Sequence, residues 1–183
     1  MPTAKKLNGT LRAFIEKQKL FFVATAAADG RVNFSPKGMD SLRIIDDTRI
    51  VWLNLTGSGN ETAAHLRDAN RMTLMFCAFE GDALILRTYG QAQTLHHGDE
   101  GWDAAIGQFP KMAGSRQIFD MKIDLVQTSC GTGVPVMPFD HDRGHEELLP
   151  YFADMGQEGV EDFWQRRNAN SLDGAPTGIA ERD

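Results

Sequence analysis

A chain of 183 residues, 42% hydrophobic and 24% charged, can build one domain with a substantial core and is short for two. Its formal net charge of −6 excludes a broad basic surface of the kind that tracks a nucleic-acid backbone, but not a local cradle for one phosphate. Apolar runs at 20–27 and 50–55 fall far short of a membrane span, and the opening MPTAKKLNG has no apolar stretch after its lysines. A secretory signal is therefore not expected, and the cytoplasm is the default location.

The first predicted element is an amphipathic helix over 7–18, with Leu11, Phe14 and Ile15 at helical spacing. LFFVATAAADGRVNFSPKG follows, two apolar runs around Asp29-Gly30, which is a strong hairpin signal. A third strand is expected over 41–45 and a fourth over 48–55, ending at Gly57-Ser58-Gly59. Residues 60–70 read as a helix with Asn60 available as its cap and Glu61 in its first turn. Strands are predicted over 71–79 and 83–94, the second with Gly90 inside it as a bulge or bend. A helical pattern covers 99–108, a last long strand 117–126, and a helical tail starts at about 145 and breaks near Gly156. Short antiparallel strands with helices at a few crossovers predict a mainly β fold with α additions: a small barrel of six or more strands with flanking helices, in one domain.

Two stretches carry the candidate chemistry. In IVWLNLTGSGNETAAHLR a strand enters a Gly-Ser-Gly-Asn loop and then a helix, so free N–H groups and the side chains of Ser58, Asn60 and Thr62 are available to an anion. Read alone, this loop is first an ordinary helix cap. It lacks the Lys-Ser or Lys-Thr of a P-loop. In RVNFSPKG, alternation sets Arg31, Asn33 and Ser35 on one strand face, with Lys37 just beyond Pro36. That face could line a polar groove or simply be solvated.

Together with Gln127-Thr128-Ser129-Cys130-Gly131 and the tail phrase Asn170-Ser171-Leu172-Asp173-Gly174, these stretches resemble, in order and spacing, the pyridoxamine 5′-phosphate oxidase-like FMN-binding split-barrel family, over nearly the whole chain. The resemblance implies FMN as cofactor and a homodimer with the flavin site at its interface. It implies that Arg31, Ser35 and Lys37 approach the phosphate, the ribityl chain or the ring edge, that Asn54 lies beside the ring, and that Ser58, Asn60 and Thr62 hold the phosphate. It also implies that Gln127, Thr128 and Ser129 reach the partner's flavin. A near-dianionic phosphate calls for a cation, Lys37 first and Arg67 second. The family's true oxidases carry an Arg-x-His pair near the C-terminus; this chain has GAPTGIAERD there, so the resemblance implies the flavin scaffold rather than vitamin B6 oxidation.

The remaining polar residues read more plainly. His141 and His145 are spaced for one metal but have no obvious third ligand. His65 reads as a helix-surface residue, His96-His97 as turn residues, and Trp52 and Cys77 as core. Cys77 and Cys130 make neither a CxxC site nor a disulfide framework. The expected activity is hydride transfer through FMN between a small organic molecule, or a reduced nicotinamide, and the flavin; the alternatives are a non-catalytic flavin binder or sensor, or a split barrel that holds haem or a deazaflavin.

Overall fold

The computed structural model describes residues 2–179; Met1 and residues 180–183, the end of the GAPTGIAERD stretch, lie outside the described residues. A two-residue strand, β1 (Thr3–Ala4), precedes helix α1 (Gly9–Lys17). Asn8 caps α1 by accepting the Leu11 N–H at 2.9 Å, and Lys17 sits in the last turn, where a cation complements the carbonyl end. The chain continues as β2 (Leu20–Thr25), β3 (Asn33–Gly38), β4 (Leu42–Asp46), β5 (Arg49–Leu55), α2 (Glu61–Asp68), β6 (Met72–Cys77), β7 (Ile85–His96), α3 (Trp102–Ile106) and β8 (Ser115–Ser129). The tail holds α4 (Leu149–Phe163), broken at Gly156 (φ 69°, ψ 169°) and flanked by wide turns at Gly144–Leu148 and Trp164–Asn168.

All the strand pairs are antiparallel, in the order β3-β2-β6-β7-β8-β5-β4, with β1 alongside the C-terminal part of β8. This order forces the sheet to curl. β3 and β4 occupy its two ends, and six strand spacings in a flat sheet would separate them by about 29 Å. Only Met39, Asp40 and Ser41 join them, a link of four Cα steps that reaches at most about 14 Å. The result is a curled half-barrel whose seam lies between β3 and the β4–β5 hairpin.

The barrel interior is filled from alternate strand positions, with Phe21, Trp52, Phe76, Phe119 and Met121 among them. Trp52 stacks on Phe119 at 4.7 Å between centroids. β5 is buried on both faces, because Val51 and Leu53 point the other way into a second cluster with Trp102, Phe109 and Met112 around α3. A third cluster, Phe152, Val160, Trp164 and Ile179, seats the tail. Gly90 marks a register shift between β7 and β8, and a Cβ there would collide with the Lys122 carbonyl oxygen.

Three local expectations change. The β2–β3 ladder ends at Thr25 opposite Asn33, so residues 26–32 form a longer loop instead of a two-residue turn at Asp29-Gly30. The cause is distant: the Arg31 N–H goes to Asp173 Oδ2 at 2.7 Å and is lost to the ladder. Asn60 precedes α2 but makes no side-chain cap bond. His65 is not a surface residue: it is buried on the inner face of α2, with Nδ1 3.1 Å from Thr25 Oγ1. Among the described residues, no helix is long and apolar enough to cross a membrane.

Candidate anion-binding site

The seam opens into a cavity of about 320 Å³ between β3, the end of β5 and the loop leading into α2. β3 contributes Asn33, Ser35 and Lys37 from one face, since alternate strand residues share a side. Asn54 enters from β5, and Gly57, Ser58, Gly59, Asn60, Glu61 and Thr62 come from the loop and first turn of α2. A hydrogen-bonded chain fixes the β3 face. Ser35 Oγ donates to Asn33 Oδ1 at 2.7 Å, and Asn33 Nδ2 donates to Thr25 Oγ1 and Thr62 Oγ1, each at 3.1 Å. Thr25 in turn meets His65, so a buried histidine behind the strand orients the amide in front of it.

Arg116, which the sequence reading did not single out, completes the lining. The β5–β8 register shifts so that Asn54 faces Gln117 and Leu55 faces Ser115, leaving Arg116 as the extra residue of a bulge. A bulge re-aims the side chain it carries. Arg116 is 2% exposed; Nη1 donates to the Gly57 carbonyl at 3.4 Å, while Nε has no partner. Burial pulls its pKa down to about 9. Lys37, with Nζ 5.4 Å from the Trp52 ring centroid, is pulled down to about 8, by burial first and by the Arg116 charge second.

Among the described residues neither cation is in an ion pair. The carboxylate on the lining, Glu61, is turned to the tail, accepting from Leu172 N at 3.0 and 3.1 Å. Two adjacent, uncompensated cations among hydroxyl and amide donors are arranged for a doubly charged anion.

The structure gathers Ser35, Lys37, Asn54, Ser58, Asn60 and Thr62 around one cavity. Asn60 faces it while its Nδ2 donates to Asn168 O at 3.2 Å, and Asn54 Nδ2 donates to Gln117 Oε1 at 3.3 Å. Arg31 lies outside β3 and forms an ion pair with Asp173. Arg67, at the far end of α2, lies against Gly178. Gln127, Thr128 and Ser129 are at the other end of β8, where Tyr89 donates to Gln127 and Arg87 to Ser129. Arg116 is visible in the sequence only as a polar residue before a strand; its role depends on the bulge.

The fold agrees with what the chain is similar to. A family model described as pyridoxamine 5′-phosphate oxidase matches residues 7–130. A pyridoxamine 5′-phosphate oxidase family protein of Aspergillus flavus, ustO, is 30% identical over 188 residues, covering 94% of this chain and 76% of that one. Two solved structures share the fold. One is a Lactobacillus delbrueckii protein assigned as a pyridoxamine 5′-phosphate oxidase (TM-score 0.56, 19% identity, 69% of this chain and 99% of that one). The other is HupZ of Group A Streptococcus (TM-score 0.52, 23% identity, 65% and 91%). The matched segment runs from the start of α1 to the end of β8 and holds the whole curled sheet from β2 onward; on that breadth, together with the ustO similarity, the chain belongs to the pyridoxamine 5′-phosphate oxidase family.

Proposed function

We propose that this chain binds FMN, with the terminal phosphate in the seam cavity, and works as an FMN-dependent oxidoreductase on a small organic substrate. The observation that carries the reading is the pair Lys37, half-buried, and Arg116, fully buried, which line one cavity without an ion-pair partner among the described residues. Arg116 Nε is a buried donor that lacks an acceptor, and a phosphate monoester supplies one. In this reading Lys37 and Arg116 neutralise the dianion, and Ser58, Thr62 and the first N–H groups of α2 donate to its oxygens. A cavity of this size would hold the phosphate and adjoining polyol, with Asn54 on its lining available to the ring. Bound FMN would supply hydride chemistry at its N5. The chain's part is to fix the ring by its phosphate and to keep that anchor away from bulk water.

The same reading includes a homodimer. Gln127, Thr128 and Ser129 stand away from this chain's own cavity, and in this reading they serve a partner's. Val32 and Phe34 expose 73% and 56% of their surface on the outer side of the β2–β3 hairpin, apolar area that a symmetric partner would cover.

The test is to denature the purified protein and identify the released chromophore by mass spectrometry, then to titrate the stripped protein with FMN. FMN at one per chain, in a particle of twice the 20.3 kDa chain mass, is expected. Released haem or deazaflavin, or a stripped protein that ignores FMN, would overturn the reading. Oxidation of NADH or NADPH by the loaded protein distinguishes an enzyme from a flavin carrier.

A further inference from the structure

We propose that Asn168, backed by Trp164, is a positioning residue that gives the seam cavity its selectivity for a phosphorylated ligand. The inference rests on the FMN reading and adds to it a residue more than a hundred positions along the chain from the loop it controls.

An anion-binding loop must turn its N–H groups toward the ligand and keep its carbonyls away. The loop before α2 is too short and glycine-rich to enforce this alone. Asn168 grips it at both ends. Its Nδ2 donates to the Gly57 carbonyl at 2.9 Å, and its own carbonyl accepts Asn60 Nδ2 at 3.2 Å. In a planar trans peptide the C=O and the following N–H point to opposite sides. Holding the Gly57 carbonyl back therefore turns the Ser58 N–H outward. The same carbonyl accepts Arg116 Nη1, so its position also sets where that guanidinium sits.

The anchor itself is fixed. Asn168 is fully buried, and its carbonyl accepts the Thr177 hydroxyl at 2.6 Å. One turn earlier, Trp164 Nε1 donates to Thr56 Oγ1 at 2.7 Å, just before the loop. Further along, Leu172 N holds Glu61 and Asp173 holds Arg31, so one strap touches the loop, the first turn of α2 and the β2–β3 loop. Asn168 Oδ1 is buried without a partner. An unsatisfied amide is a poor choice for stability alone, and it fits a residue placed for what its Nδ2 does.

The experiment compares FMN with riboflavin, which shares the ring and polyol and lacks the phosphate. Dissociation constants for both are measured by flavin fluorescence on the stripped wild-type protein, Asn168→Ala, Trp164→Phe and Lys37→Met. Asn168→Ala should weaken FMN about tenfold, the effect of one lost buried hydrogen bond and a freed carbonyl, and leave riboflavin within about twofold. A general loosening of the fold would weaken both ligands together, and that outcome overturns the proposal. If Asn168→Ala fails to fold, Trp164→Phe decides: it keeps an aromatic ring in the tail cluster and removes the N–H to Thr56 together with the five-membered ring that carries it, and should shift the FMN-to-riboflavin ratio about threefold in the same direction. A ratio that falls in Lys37→Met and stays at the wild-type value in Asn168→Ala, or in a substituting Trp164→Phe, sinks the strap while keeping the phosphate site. A wild-type protein that does not prefer FMN to riboflavin removes the phosphate site, and the strap with it.

Discussion

Two cavities of similar size flank the curled sheet, and they handle charge in opposite ways. The larger, about 460 Å³ between α1 and β4, has an apolar floor of Phe21 and Phe76 and a rim that includes Arg43 and Asp40. Arg43 is fully engaged: Nη1 and Nη2 donate to the Asp40 carboxylate at 2.5 and 2.9 Å, Nε donates to the Gln108 carbonyl at 2.9 Å, and the guanidinium lies 4.8 Å from the Phe109 ring centroid. The smaller cavity at the seam holds Lys37 and Arg116 with no carboxylate partner and a buried Nε left over. The guanidinium of the first cavity is matched by a carboxylate, and the two cations that line the second are not, so it is the second that has room for an anion.

The contrast breaks most visibly at its two arginines. Arg116→Met keeps an unbranched apolar stem and removes the buried charge, and should weaken FMN roughly a hundredfold, the scale of a desolvated charge-assisted contact. Arg43→Met removes an equally well-ordered guanidinium from the larger cavity and should leave FMN affinity within about twofold. Titrating both stripped variants with FMN measures the difference directly. Equal losses would mean that the two cavities are not distinct in function.

A pH titration sharpens the same point with a smaller effect. Lys37 in the ligand-free protein has a pKa of about 8, and a neighbouring dianion raises it, so the complex holds a proton that the free protein releases. The Lys37 contribution to affinity is therefore whole below about pH 8 and fades as pH rises through the bound-state value. FMN binding measured at pH 7, 8 and 9 should be level over the first interval and fall several-fold over the second, by at most about tenfold per unit for one proton. Lys37→Met should remove most of that fall, leaving the part that Arg116, with its pKa pulled down to about 9, contributes toward pH 9. The same substitution should stabilise the ligand-free protein at pH 7 by on the order of 1 kcal/mol in chemical denaturation, because burial and the Arg116 charge oppose the ammonium there.

The parts of this site legible in the sequence are those that depend on neighbours in the chain. Alternation alone put Ser35 on the same face of β3 as Asn33, and a strand running into Gly57-Ser58-Gly59-Asn60 marked a loop able to meet an anion; the fold turns both to the cavity. Gly90 likewise declared its bulge, since a glycine inside a long strand means a close backbone approach. Arg116 could not be read this way. Its direction is set by a register slip against Asn54 and Leu55, some sixty residues earlier, and no local pattern encodes a slip between distant strands. His65 was misread for a related reason: α2 is short and only weakly apolar, and the buried side of the helix is decided by Thr25 on β2. Asn168 and Asp173 act across still longer separations.

Arg31 is where sequence and structure separate most clearly, and its removal should have the smallest effect. The family resemblance sends it toward the flavin; the fold gives it to Asp173, whose carboxyl is held below its ordinary range first by the Arg31 backbone N–H and then, against an opposing burial effect, by its side chain. Arg31→Ala keeps the backbone bond, so the strap stays attached to the β2–β3 loop, and an exposed ion pair is worth only about 0–1 kcal/mol. FMN affinity in this variant should therefore stay within about threefold of wild type. A loss of tenfold or more in the same fluorescence titration would mean that Arg31 leaves Asp173 for the phosphate when the ligand arrives. Asp173 would then be a placeholder for the anion, and the charge imbalance at the seam would involve three cations instead of two.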